Sequence, residues 1–178
     1  ISEKEITSRV KKVIQLKKWI GLDRFEPLST KELVPKLNSE NAKLVRRKLV
    51  ENAMTLLQNR GDVVPVKGLS KLRLASVSIG VDGISPFQKM LGNYAPVDHF
   101  YISSKPTKEE VIKIINDLKG YNLVLVGIHG NSRSPKKKFG LTQDMMDVLN
   151  NIKSMHPTIV SVFANPYSLG FFPELSEG

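Results

Sequence analysis

The chain predicts an α/β fold, a three-layer αβα sandwich with a mostly parallel sheet, preceded by an N-terminal helical segment. Three observations carry the prediction. Short, branched, apolar runs recur at residues 72–80 (LRLASVSIG), 97–103 (VDHFYIS), 122–130 (NLVLVGIHG) and 158–165 (TIVSVFAN). Segments with helical spacing of apolar residues separate them. The third run is apolar without alternation, as a strand covered on both faces by crossover helices must be. The pattern changes after Gly68, which divides the chain into a helical segment at 1–61 and an α/β sandwich at 62–178, with 62–71 as the joint.

The elements follow in order. SEKE at 2–5 has the form of a capping box, so a helix starts there. Ile6, Val10, Val13 and Ile14 line one face of it, lysines take the other, and Gly21 offers a stop. STKE at 29–32 repeats the box ahead of a shorter helix that Pro35 limits. A longer helix runs from Ser39 to about Asn59, with Ala42, Val45, Leu49, Ala53 and Leu56 as its stripe and NRGD at 59–62 as its terminator. Beyond the first strand, helices are expected at 86–94, at 108–120 behind the box TKEE, and at 143–156 behind Thr142.

Composition narrows the function classes. The formal net charge is +10, but aromatic residues do not interleave with the lysine clusters, so solvated charge is expected ahead of nucleic-acid binding. No window approaches the roughly 18 apolar residues of a membrane span, and no membrane partner is expected. Cysteine is absent, which removes thiolate nucleophiles and zinc–thiolate sites. The three histidines lie far apart in sequence without ligand-spaced companions, so no metal site is predicted. The glycines at 80 and 83 do not make a dinucleotide fingerprint, no Gly-Lys-Ser/Thr phosphate loop occurs, and no G-x-S-x-G elbow is present; no cofactor is expected.

Ligands of an open α/β sheet gather beyond the carboxyl ends of strands where strand order reverses. If the first and third strands are neighbours, that rule brings Asp82, after the first, towards His129, Asn131 and Arg133, after the third. These four are the candidate rim residues; the competing interpretation is that they are ordinary polar turn residues. Between Gly130 and Leu141 there is no aspartate or glutamate. The loop can grip anions or hydroxyls but offers no general acid, and no catalytic residue is assigned to this chain.

Several phrases carry a family resemblance. ENAMTLLQNRGDVVPVKGLSKLRLASVSIG at 51–80 resembles the opening of the carboxyl-terminal α/β sandwich of glycoside hydrolase family 3. YNLVLVGIHG and TIVSVFANPYSLGFF are similar to its later strands, the second closest to the β-N-acetylglucosaminidase branch. SRVKKVIQLKKWIGLDRF at 8–25 is similar to the helix closing the family's catalytic barrel.

The resemblance implies a non-catalytic carboxyl-terminal domain of a β-N-acetylhexosaminidase that acts on terminal N-acetylglucosamine. The catalytic groups would lie on an N-terminal (β/α)₈ barrel of the same parent chain, which would be the partner of this piece, with a glycan as substrate. It also implies a sandwich truncated at its carboxyl end and an exported bacterial parent, periplasmic or extracellular. The acid-free loop departs from the β-glucosidase branch, whose acid/base glutamate lies near that position. Two other classes stand beside this one: a basic nucleic-acid-binding module and a small-molecule-binding α/β domain.

Overall fold

The computed structural model describes residues 2–27 and 29–175. The chain forms two compact units, 1–55 and 56–178. The first contains helices α1 (Glu3–Trp19), α2 (Leu33–Leu37) and α3 (Glu40–Ala53). Ser2 caps α1 by accepting from the Glu5 amide at 3.3 Å, while the Glu5 carboxylate turns away to Arg9 at 2.6 Å. Half of the expected box is therefore formed. No described residue of this unit is buried, and the α1 stripe of Ile6, Val10, Val13 and Ile14 remains about half exposed.

Two boundaries in this region differ from the sequence expectation. STKE does not cap a helix: α2 starts at Leu33 behind Glu32, whose side chain makes no cap bond, and Pro35 lies inside it. Proline is tolerated there because the first four amides of a helix have no intrahelical acceptor to lose. Helix α3 stops at Ala53, short of Asn59. Asn59 instead clamps the chain ahead of Pro65, donating to the Val64 carbonyl at 2.6 Å and accepting from the Val64 amide at 3.0 Å. Side-chain bonds of this kind compete with helix propagation.

The second unit is the α/β domain, with β1 (Leu74–Ile79), α4 (Pro86–Leu91), β2 (Val97–Ile102), α5 (Lys108–Asp117), β3 (Leu123–His129), α6 (Gln143–Met155) and β4 (Thr158–Phe163). All strand pairs are parallel and the order is β2-β1-β3-β4. The helices end a few residues before their sequence limits, as frayed termini do. Thr107 and Glu110 form the full capping box expected at α5.

The two sheet faces differ. Ala75, Val77, Ile79, Val124, Val126 and Ile128 point towards α5 and α6 and, with Met145, Met146, Leu149 and Ile152, form the buried core. Each of these side chains other than that of Ala75 contributes about 1.5–3 kcal/mol on leaving water. The opposite face carries Ser76, Ser78, His99, Leu125, Gly127, His129 and Phe163, all of the same register parity. Its helical cover is the six-residue α4. Beside that helix lies a groove of ≈ 280 Å³, lined by Leu74, Leu125, Ile159, Phe87 and Val64 among others, with no charged side chain.

Candidate functional site

The strand order places the reversal between β1 and β3, which pair directly from Leu74↔Leu123 to Ile79↔Ile128. At their carboxyl ends the two backbones close tightly. Gly80 has φ +91°, and a Cβ there would stand 2.7 Å from the His129 carbonyl oxygen and 2.6 Å from Met145 Cε. The floor of the crevice is thus solid, and only glycine fits it.

His129 ends β3 on the α4 face, and its ring is held by a hydrogen bond at its edge and a stacked ring on its face. Its Nε2 lies 3.3 Å from Ser78 Oγ, which lies 2.8 Å from Ser85 Oγ. Its face stacks on Phe163 at 4.9 Å between centroids and 11° between planes. The parallel register builds this contact, because His129 and Phe163 are neighbours across β3 and β4. Phe163 in turn meets Phe87 of α4 at 5.2 Å and 53°. Gly127 makes room for the group: a Cβ there would stand 2.9 Å from Phe87 Cδ1 and 3.1 Å from His129 Nε2.

Beneath the aromatic group runs a buried polar chain. Ser85 caps α4 in a full capping box with Gln88. Gln88 is fully buried and donates to the Phe100 carbonyl at 2.7 Å and to Ser76 Oγ at 3.2 Å, while its Oε1 accepts from the Ser85 amide at 3.0 Å. Ser76 Oγ lies 2.7 Å from His99 Nδ1. Hydrogen bonding thus links His129, through Ser78, Ser85, Gln88 and Ser76, to His99 on the far side of β1. Burial pushes the His129 pKa below the ordinary imidazole value, which favours the neutral ring.

The Ser78–His129 pair has the residue types of a nucleophile and base, but Ser78 is completely buried. No substrate carbonyl can reach it, so the pair is a support.

The four candidate rim residues share the carboxyl edge. Asp82, Asn131 and Arg133 are exposed, and His129 is half-buried. No hydrogen bond or ion pair joins the four to one another among the described residues. Asn131 packs against Gly140, which closes its own loop.

That loop is anchored at its end. Lys138, Phe139 and Gly140 are all left-handed, with φ of 47°, 57° and 87°. Phe139 is buried against Phe171 at 6.1 Å, and Lys138 Nζ stands 5.1 Å over the Phe172 ring. Burying the Phe139 ring, worth about 1.5–3 kcal/mol, offsets a left-handed conformation costing about 1–2 kcal/mol per residue. The lysine run is therefore not uniform: all three lysines are exposed, but Lys138 sets its ammonium over the Phe172 ring.

Sequence reasoning missed Ser78, Ser85, Phe87, Gln88, Gly127 and Phe163. One signal was present: Ser85 followed three residues later by Gln88 is a capping-box pattern. Gly127 follows from alternation along β3, whereas Ser78 and Phe163 depend on strand register and Phe87 on where α4 packs, which only the folded domain defines.

Among the described residues no group of three or more histidine, aspartate or glutamate side chains is disposed to hold a metal. No helix among them is long and apolar enough to cross a membrane. Compared with known proteins, the chain matches no family model, no curated protein and no solved structure.

Proposed function

We propose that this chain is a supporting α/β domain of a glycoside hydrolase of family 3, from the β-N-acetylhexosaminidase branch, and that the bond-breaking groups lie outside these 178 residues. One observation carries the reading: the two loops that meet at the strand reversal, 80–85 and 129–141, offer an imidazole, an amide, a guanidinium and lysines, with Asp82 as their single carboxylate and so no carboxyl pair between them. Glycoside hydrolysis commonly needs such a pair, one to protonate the leaving oxygen and one to attack or activate water. The loop after His129 has no carboxylate from Gly130 to Leu141. Asp82, the carboxylate on the facing loop, is exposed and forms no ion pair among the described residues.

The exposed apolar stripe of α1 agrees with a helix that belongs against further protein surface. In the intact enzyme the domain would buttress a catalytic barrel, with His129, Asn131 and Arg133 bordering the sugar. The test is hydrolysis of a chromogenic N-acetylglucosaminide. The 178-residue chain alone is expected to be inactive, and turnover by it would overturn the assignment. In the full-length enzyme, Arg133→Ala is expected to raise KM with kcat nearly unchanged; an unchanged KM would reduce the loop to a surface turn.

A further inference from the structure

We propose that Phe163 is a preorganised stacking platform for a pyranose ring, with Asn131 and Arg133 at the hydroxyl edge of the bound sugar; this deepens, and rests on, the glycosidase reading above. Phe163 ends the edge strand β4 and is 44% exposed, a large apolar ring left in water at the carboxyl edge of the sheet. The ring is nonetheless held. His129 covers one face in near-parallel stacking, Phe87 meets it at a tilt, and His129 is itself tied through Ser78 to the Ser85 cap of α4.

A ring fixed by two layers of contacts loses little freedom when a ligand arrives, which is what a binding platform requires. Gly127 belongs to the same device, since a side chain there would push Phe87 and His129 out of place.

The chemistry around the ring selects the ligand class. A pyranose presents a face of weakly polar C–H groups, which suits the electron-rich face of an arene, and an equator of hydroxyls. Asn131 and Arg133, two and four residues beyond His129, supply amide and guanidinium groups for hydroxyls. A nucleobase would also stack on an exposed ring, but the absence of interleaved aromatics elsewhere gives a nucleic-acid strand only one such step.

The experiment is a titration of the isotope-labelled full chain, followed by backbone amide and imidazole NMR signals, with triacetylchitotriose, cellotriose and adenosine monophosphate as probes. Saturable shifts at His129, Asn131 and Phe163 with triacetylchitotriose are expected, weakened about tenfold in Phe163→Leu and restored in Phe163→Tyr, the size of one aromatic contact. Phe163→Leu keeps apolar bulk beside His129, so an unchanged spectrum elsewhere shows that the fold is retained. Shifts at the same residues with cellotriose alone uphold the platform and overturn the N-acetylhexosamine reading. No shift with either sugar, or shifts with adenosine monophosphate only, overturns the platform. The hydrolase reading then stands or falls on the enzyme assay.

Discussion

Replacing Gly127 by alanine tests the construction of the aromatic group directly. The added methyl would stand 2.9 Å and 3.2 Å from two carbons of the Phe87 ring and 3.1 Å from His129 Nε2. Alanine in a strand is otherwise favoured over glycine by about 0.5–1 kcal/mol. Overpacking a well-filled site costs about 1–3 kcal/mol, and both rings are held by further contacts, so the clash should win by about 1–2 kcal/mol. With a urea m-value of roughly 2 kcal/mol/M, the midpoint should fall by about 0.5–1 M at unchanged m.

Trp19, the single tryptophan, lies in the 1–55 unit, so its fluorescence is a poor reporter. The assay should follow amide signals of β1 and β3. The same variant should move the His129 titration towards the ordinary imidazole value, because a displaced ring is better hydrated. A Gly127→Ala protein as stable as the parent, with an unmoved His129 titration, would refute the claim that this residue makes room for both rings.

Four other outcomes are expected. Gln88→Ala removes the donor to Phe100 and Ser76 and the acceptor for Ser85, and should cost about 2–3 kcal/mol in chemical denaturation. His129 has a folded pKa below 6.5, so as pH falls the unfolded imidazole takes up its proton first. Its contribution is therefore destabilising on acidification: absent well above pH 6.5, it builds as pH falls from there to the folded value and levels off below it; pH-dependent urea midpoints, compared with those of His129→Gln, check it. Lys138→Gly should be neutral or stabilising by up to about 1 kcal/mol, because it relieves a φ of 47°. Gly140→Ala should destabilise by about 2–3 kcal/mol, as its Cβ would lie 2.7 Å from the Ser132 amide at a φ of 87°; thermal melts distinguish the pair.

Much of the sheet was legible because its strands carry a local signal. β3 reads as an unbroken apolar run, since both of its faces are covered, and α5 announces its start with Thr107 and Glu110. The ends of α2 and α3 were not legible. There a proline harmless in a first turn and an asparagine bonding five residues ahead outweigh simple propensity.

At the site, rules about strand ends sufficed to single out His129. Gly127 shares the face of His129 by simple strand alternation, but nothing local told that Ser78 and Phe163 would stand beside it, because strand register over a separation of 51 residues, from Ser78 to His129, is a property of the assembled sheet. Asp82 shares that edge by position alone: it is exposed and makes no ion pair among the described residues.

The sheet is also unfinished at one side. β4 reads TIVSVF, with no lysine, proline or other residue of the kind that discourages a neighbour, and it has a strand partner only on its β3 side among the described residues. Any extended segment laid along the open side would lengthen the ladder and stand next to Phe163. The ring would then change from a shelf at a margin into one wall of a cleft, so the reach of a sugar to it is governed by whatever borders that strand.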